Sequence, residues 1–98
     1  ADTELLELLA QLHDAAKNRE KLTGVLTELA ARVPDNFAVR LRLAKLYTEA
    51  GRPEKAEQWA REALFVDVTN EEAKQILLVA LRAQEKDNAA AKVEARST

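Results

Sequence analysis

The sequence predicts an all-α chain of antiparallel helix-turn-helix repeats, and three observations predict it. Apolar residues recur at helical spacing in successive segments, short breaks bearing Pro or Gly separate them, and the pattern returns about every 34 residues.

The first segment carries Leu5, Leu6, Leu8, Leu9 and Leu12. In the second, Leu22, Val25, Leu26, Leu29, Ala30 and Val33 fall on one helical stripe, which must pack on something. Pro34-Asp35-Asn36 stops that helix and supplies Asn36 as the cap of a third, marked by Val39, Leu43, Leu46 and Tyr47. Gly51-Arg52-Pro53 then places a glycine at a helix end and a proline near the next start. The fourth segment repeats the second's spacing with Ala56, Trp59, Ala60, Ala63 and Leu64, and Glu57 can pair with Arg61 on its outer side. Thr69 with Glu72 can form a capping box, or Asn70 can cap alone, so a fifth helix should start near residue 70 and run to about Lys86. Asp87 can restart a helical turn, and Ala89, Ala90 and Val93 give a weakly apolar tail.

Composition narrows the function. The 98 residues fit a single domain, 1–98, and 47% hydrophobic with 33% charged residues suits helix. There is no cysteine for a disulfide framework, which leaves the compartment open. Fifteen Lys and Arg against seventeen Asp and Glu give a net charge of -2, without the basic excess a nucleic-acid surface carries. The longest apolar run, Ile76 to Leu81, falls far short of the roughly 20 residues a membrane span needs, so membrane insertion is not expected. The chain opens Ala1-Asp2-Thr3 without Met or an apolar signal core, which reads as a segment cut from a longer protein.

Sliding the chain on itself by 34 places puts Asn36 on Asn70 and sets Leu9, Leu43 and Leu77 in one column. Ala10 and Ala44, Leu12 and Leu46, and Leu29 and Ala63 also align. Leu43-Ala44-x-x-Tyr47, Gly51, Ala56, Ala63-Leu64, Asp67 and Asn70 resemble the spaced signature of the tetratricopeptide repeat family across 37–70. Residues 3–36 form a divergent copy with His13 in the column of Tyr47, and 71–98 keep the first helix of an incomplete or capping last repeat. The middle copy departs in having Arg40 where a large aromatic is usual and Val68 where proline is usual. The resemblance implies a short right-handed α-solenoid of about two and a half to three repeats. Ala44 and Ala56 are placed for close approach of two helices, while Tyr47, Trp59 and Phe65 are expected to fill gaps between hairpins.

No catalytic constellation is present. His13 is the only histidine, and Gly24 and Gly51 cannot form a phosphate-cradling loop, so neither an enzyme site, a metal nor a cofactor is expected. In the resembling family the first helix of each pair lines a concave groove for a peptide or helix. Carried over, that groove would be lined by Glu4, Glu7, Leu8 and Gln11, then Ala38, Leu41, Arg42, Lys45 and Glu49, then Glu72, Gln75, Ile76, Val79 and Arg82. The clamp with which some members hold a terminal carboxylate uses Lys, Asn, Asn, Lys and Arg, and Glu7, Gln11, Arg42, Glu72 and Ile76 do not reproduce it.

The leading expectation is a protein-protein interaction module whose groove residues are Leu41, Arg42, Lys45, Ile76, Val79 and Arg82, with the three cations forming a positive spot for a partner's carboxylate. An ordinary solvated helix face is the plain alternative for that spot. The second functional reading is a structural or oligomerisation module appended to a larger protein, such as an enzyme, without a free ligand. Its motive is the run Ile76 to Leu81, which covers more than one helix face. The tail from 87 folding back, a second copy pairing through the helix at about 70–86, or another domain of the parent chain would have to cover it.

Overall fold

The computed structural model describes the backbone of residues 2–96 and the side chains of residues 3–85. Five helices follow in order: α1 (Asp2–Ala15), α2 (Arg19–Arg32), α3 (Phe37–Glu49), α4 (Pro53–Val66) and α5 (Glu71–Arg96). Helices α1 and α2 form one hairpin and α3 and α4 a second. Helix α2 packs on α3, and α5 packs on both α3 and α4, so the elements stack as a helical-repeat solenoid.

Asparagine side chains start three of the helices. Oδ1 of Asn18, Asn36 and Asn70 accepts from the backbone N–H three residues on, at 3.2, 3.1 and 2.9 Å. Of the two caps open for α5, Asn70 makes the bond, because Thr69 is held by Asp67, whose carboxylate accepts from its N–H and hydroxyl at 3.3 and 2.9 Å.

Helix ends follow the same repeat. After α3, Gly51 takes φ 72°, its N–H bonds to the Thr48 carbonyl at 3.1 Å, and the Arg52 N–H bonds to Tyr47 at 2.9 Å. Lys17, in the column of Gly51, closes α1 by the same pair of bonds at 3.0 and 2.9 Å, but with a side chain at φ 57°. A β-carbon in that conformation crowds the following carbonyl. Lys17→Gly is therefore expected to stabilise the protein by about 0.5–1 kcal/mol, the relief of strain exceeding the added freedom of the unfolded chain. Urea unfolding measures this, and a midpoint that stays put or falls would refute it.

The main core cluster joins Leu6 of α1, Leu22, Leu26, Leu29 and Ala30 of α2, and Val39, Leu43 and Leu46 of α3, with Tyr47 and Trp59 half-buried against it. Ala44 and Ala56 are buried, as the close approach of α3 and α4 demands. Phe65 departs from expectation: it is 92% exposed rather than packed between hairpins. The buried row of α4 is Ala56, Ala60 and Ala63, and Phe65 lies two residues, about 200°, beyond its last member.

Helix α5 also departs from expectation. It does not stop near Lys86 and restart at Asp87 but continues unbroken to Arg96. Its sequence beyond Lys86 holds neither Gly nor Pro and is rich in alanine, so Asp87-Asn88 cannot overcome the helical preference around it. A tail bent back over α5 needs a break that this helix does not have. The side chains of Ala89, Ala90 and Val93, which were to form that lid, lie outside the described residues.

Candidate partner-binding face

Helix α3 sits centrally, flanked by α2, α4 and α5, and its outward side presents Ala38, Arg42 and Glu49 with Leu41 and Lys45 half-buried beside them. Arg42 forms an ion pair with Asp14 of α1. Lys45 reaches Glu72 of α5 at 2.5 Å, and Glu49 reaches Arg19 of α2 at 3.2 Å. All six side chains in these pairs are between 41% and 67% exposed, so each bond contributes little, roughly 0–1 kcal/mol, and can be exchanged for another carboxylate or cation.

The structure thus brings the predicted residues onto neighbouring helices but divides them. Arg42 and Lys45 line a cleft of about 450 Å³ between the two hairpins, together with His13, Asp14, Lys17 and Glu49, over a floor of Leu22 and Leu46. The cleft exists because α1 rests on α2 and does not approach α3 as α5 does. Val79, 49% exposed, lines a different depression beside Thr48, Gly51 and Pro53. Ile76 is half-buried and Arg82 is exposed on α5; among the described residues Arg82 makes no ion pair. Two of the three cations are matched by exposed carboxylates.

His13 is half-buried and lines the cleft. Among the described residues no group of three or more His, Cys, Asp or Glu is placed to hold a metal ion, and no helix is long and apolar enough to cross a membrane. Glu57 is held below the ordinary carboxylate range, first by the hydrogen bond from Gln84 of α5 at 2.6 Å and then by Arg61 at 2.8 Å. That network ties α4 to α5 and belongs to the stacking of the fold.

One surface on α1 is more open than its apolar spacing implies. Leu5, Leu8 and Leu12 of α1 are 59%, 62% and 62% exposed; Leu8 stands in the column of Arg42, on the side expected to line the groove, whereas the apolar spacing placed Leu5 and Leu12 with the core. The signal was in the count: five leucines in eight positions cover a wider arc than one neighbouring helix can bury.

Compared with known proteins, a family model described as a tetratricopeptide repeat matches residues 24–74, just over half of the chain. The match runs from within α2 through the whole second hairpin into the start of α5. No curated protein matches the chain.

Proposed function

We propose, because this chain belongs to the tetratricopeptide repeat family, that it is a non-catalytic module binding an extended or helical segment of a partner protein along the outward faces of α3 and α5. Repeats of this family generally mediate protein-protein interactions. The observation that supports this face is the combination on α3 and α5 of Leu41, Ile76 and Val79 with two cations, Arg42 and Lys45, held only in exposed, exchangeable ion pairs. A partner segment with apolar anchors and an acidic residue would replace Asp14 or Glu72 at those cations and cover the apolar positions between them. Arg82, without an ion pair among the described residues, would sit at the far edge of the same face.

Reversing Arg42 and Lys45 together to Glu should cut capture of the partner at least tenfold, equivalent to about 1.4 kcal/mol, while helicity stays unchanged. Quantitative pull-downs with the two proteins side by side measure this. Identical partner sets in identical amounts would remove the face from consideration.

A further inference from the structure

Among the described residues both ends of the helical stack leave apolar residues open, and for Leu5, Leu12 and Leu78 the stack buries the residue in the same column elsewhere. Leu5 is 59% exposed, whereas Val39 and Ala73 of its column are 8% and 0% exposed. Leu12 is 62% exposed, whereas Leu46 and Ala80 are 7% and 3%. Helix α2 packs on α3 and α4 packs on α5, but no described helix takes that place before α1. At the other end Leu78 is 43% exposed while Ala44, its counterpart on α3, is fully covered by packing that includes α4. No described helix follows α5 in that position. Leu77 and Leu81 are half-buried beside Leu78 and widen the open face.

We propose that a second copy of this chain covers both faces head to tail, α1 of one molecule seating against the Leu77, Leu78 and Leu81 face of α5 in the next. The spacing of Leu5, Leu8 and Leu12 is three then four residues, the seam by which one helix inserts side chains between those of another. The charges at the edges are complementary. Glu4 and Glu7 run along one side of the α1 stripe and make no ion pair among the described residues. On α5, Lys74 and Arg82 stand one turn before and one turn after Leu78. Lys74 is held only by a 3.7 Å pair to the exposed Glu71, and Arg82 has no ion pair among the described residues. Symmetric pairing of α1 with α1 about Leu8 would instead bring Glu7 toward its own copy, a like-charge contact. Because the two surfaces differ, each added molecule leaves one α1 and one α5 face free, and association continues beyond the dimer. The α5 surface shares Arg82 with the proposed partner face, but Arg42 and Lys45 belong to that face alone, so the double Glu variant at those two positions tests it separately from self-association.

Light scattering across a concentration series tests it. The unaltered chain should rise past the mass of a dimer. Leu8→Glu with Leu12→Glu should block one surface and Leu78→Glu the other, each variant staying monomeric at a concentration at least tenfold above that at which the unaltered chain associates. Mixed in equal amounts, the two variants should form a one-to-one dimer and stop, since each retains the surface the other needs. Glu4→Lys with Glu7→Lys, which leaves every apolar residue in place, should weaken association while circular dichroism stays unchanged. An unaltered chain that is monomeric at millimolar concentration overturns the proposal. So does a Leu78→Glu variant that still dimerises alone, the mark of symmetric α1 pairing, or a variant mixture that remains monomeric.

Discussion

Truncating Leu43 to Ala is expected to lower stability by about 2–5 kcal/mol, a large share of the roughly 5–15 kcal/mol that holds a domain of this kind folded. Leu43 has no exposed surface and lies in the cluster shared by α1, α2 and α3. Its helix is gripped from α2, α4 and α5, so the surroundings cannot collapse into the space a missing isobutyl group leaves. Leu9 and Leu77 occupy the same column but are only half-buried, since among the described residues no hairpin packs before α1 and no helix after α5. The same truncation there removes contacts from one side only and should cost about 1–2 kcal/mol. Urea unfolding followed by helical circular dichroism and Trp59 fluorescence compares the three. Equal losses would show that the stack does not concentrate its stability in the middle repeat.

The pairing of helices was legible because its determinants are local. Asn36 caps α3 through a bond three residues away, Gly51 ends it through bonds within the last turn, and the stripe on α2 needs only helical periodicity to be seen. What escaped depends on contacts the sequence does not order. Lys17 adopts the conformation of Gly51 because the first hairpin needs the same turn, and a lysine does not announce that backbone. Phe65 reads as a core residue by its chemistry, yet the row of small alanines on α4 turns it to the outside. The fifth helix was expected to end where its large apolar residues end, but helix continues wherever nothing breaks it, and alanine and lysine suffice.

The face proposed for a partner was legible residue by residue and not as a surface. Arg42 and Lys45 are visible cations in the sequence, but their partners stand 28 residues before one and 27 after the other, and only the stacking of α1, α3 and α5 brings each pair together. The openness of Leu5 and Leu12 on α1 was hidden for the opposite reason. Periodicity identifies a face that wants cover, and whether a helix is there to supply it is decided by the neighbouring repeat.

Arg40→Ala is the second substitution expected to have a large effect, about 2–4 kcal/mol. Arg40 stands where the resembling signature has a large aromatic, and it is only 7% exposed. Its guanidinium donates to the carbonyls of Ala30 at 3.2 Å, Val33 at 3.1 Å and Asn36 at 3.3 Å, and to the Glu62 carboxylate at 3.4 Å. Those carbonyls close the last turn of α2 and the connection into α3, so one planar fork fastens three helices and places positive charge at the negative end of α2. Removing it strands acceptors that folding has withdrawn from water, at about 1–3 kcal/mol for such groups, and removes the packing of the side-chain stem. Burial of the charge opposes this gain in the native protein, so Arg40→Met, which restores the stem and spares the desolvation, should recover part of the loss. Arg40→Lys keeps the charge but offers no fork, and should fall between Ala and the native residue. Glu62→Gln should cost under about 1 kcal/mol, because Glu62 is 45% exposed and water replaces what the arginine loses. Denaturant unfolding of the four variants separates these contributions. If Arg40→Met proves as stable as the native chain, the stem holds the hairpins together; if it proves as unstable as Arg40→Ala, the fork does.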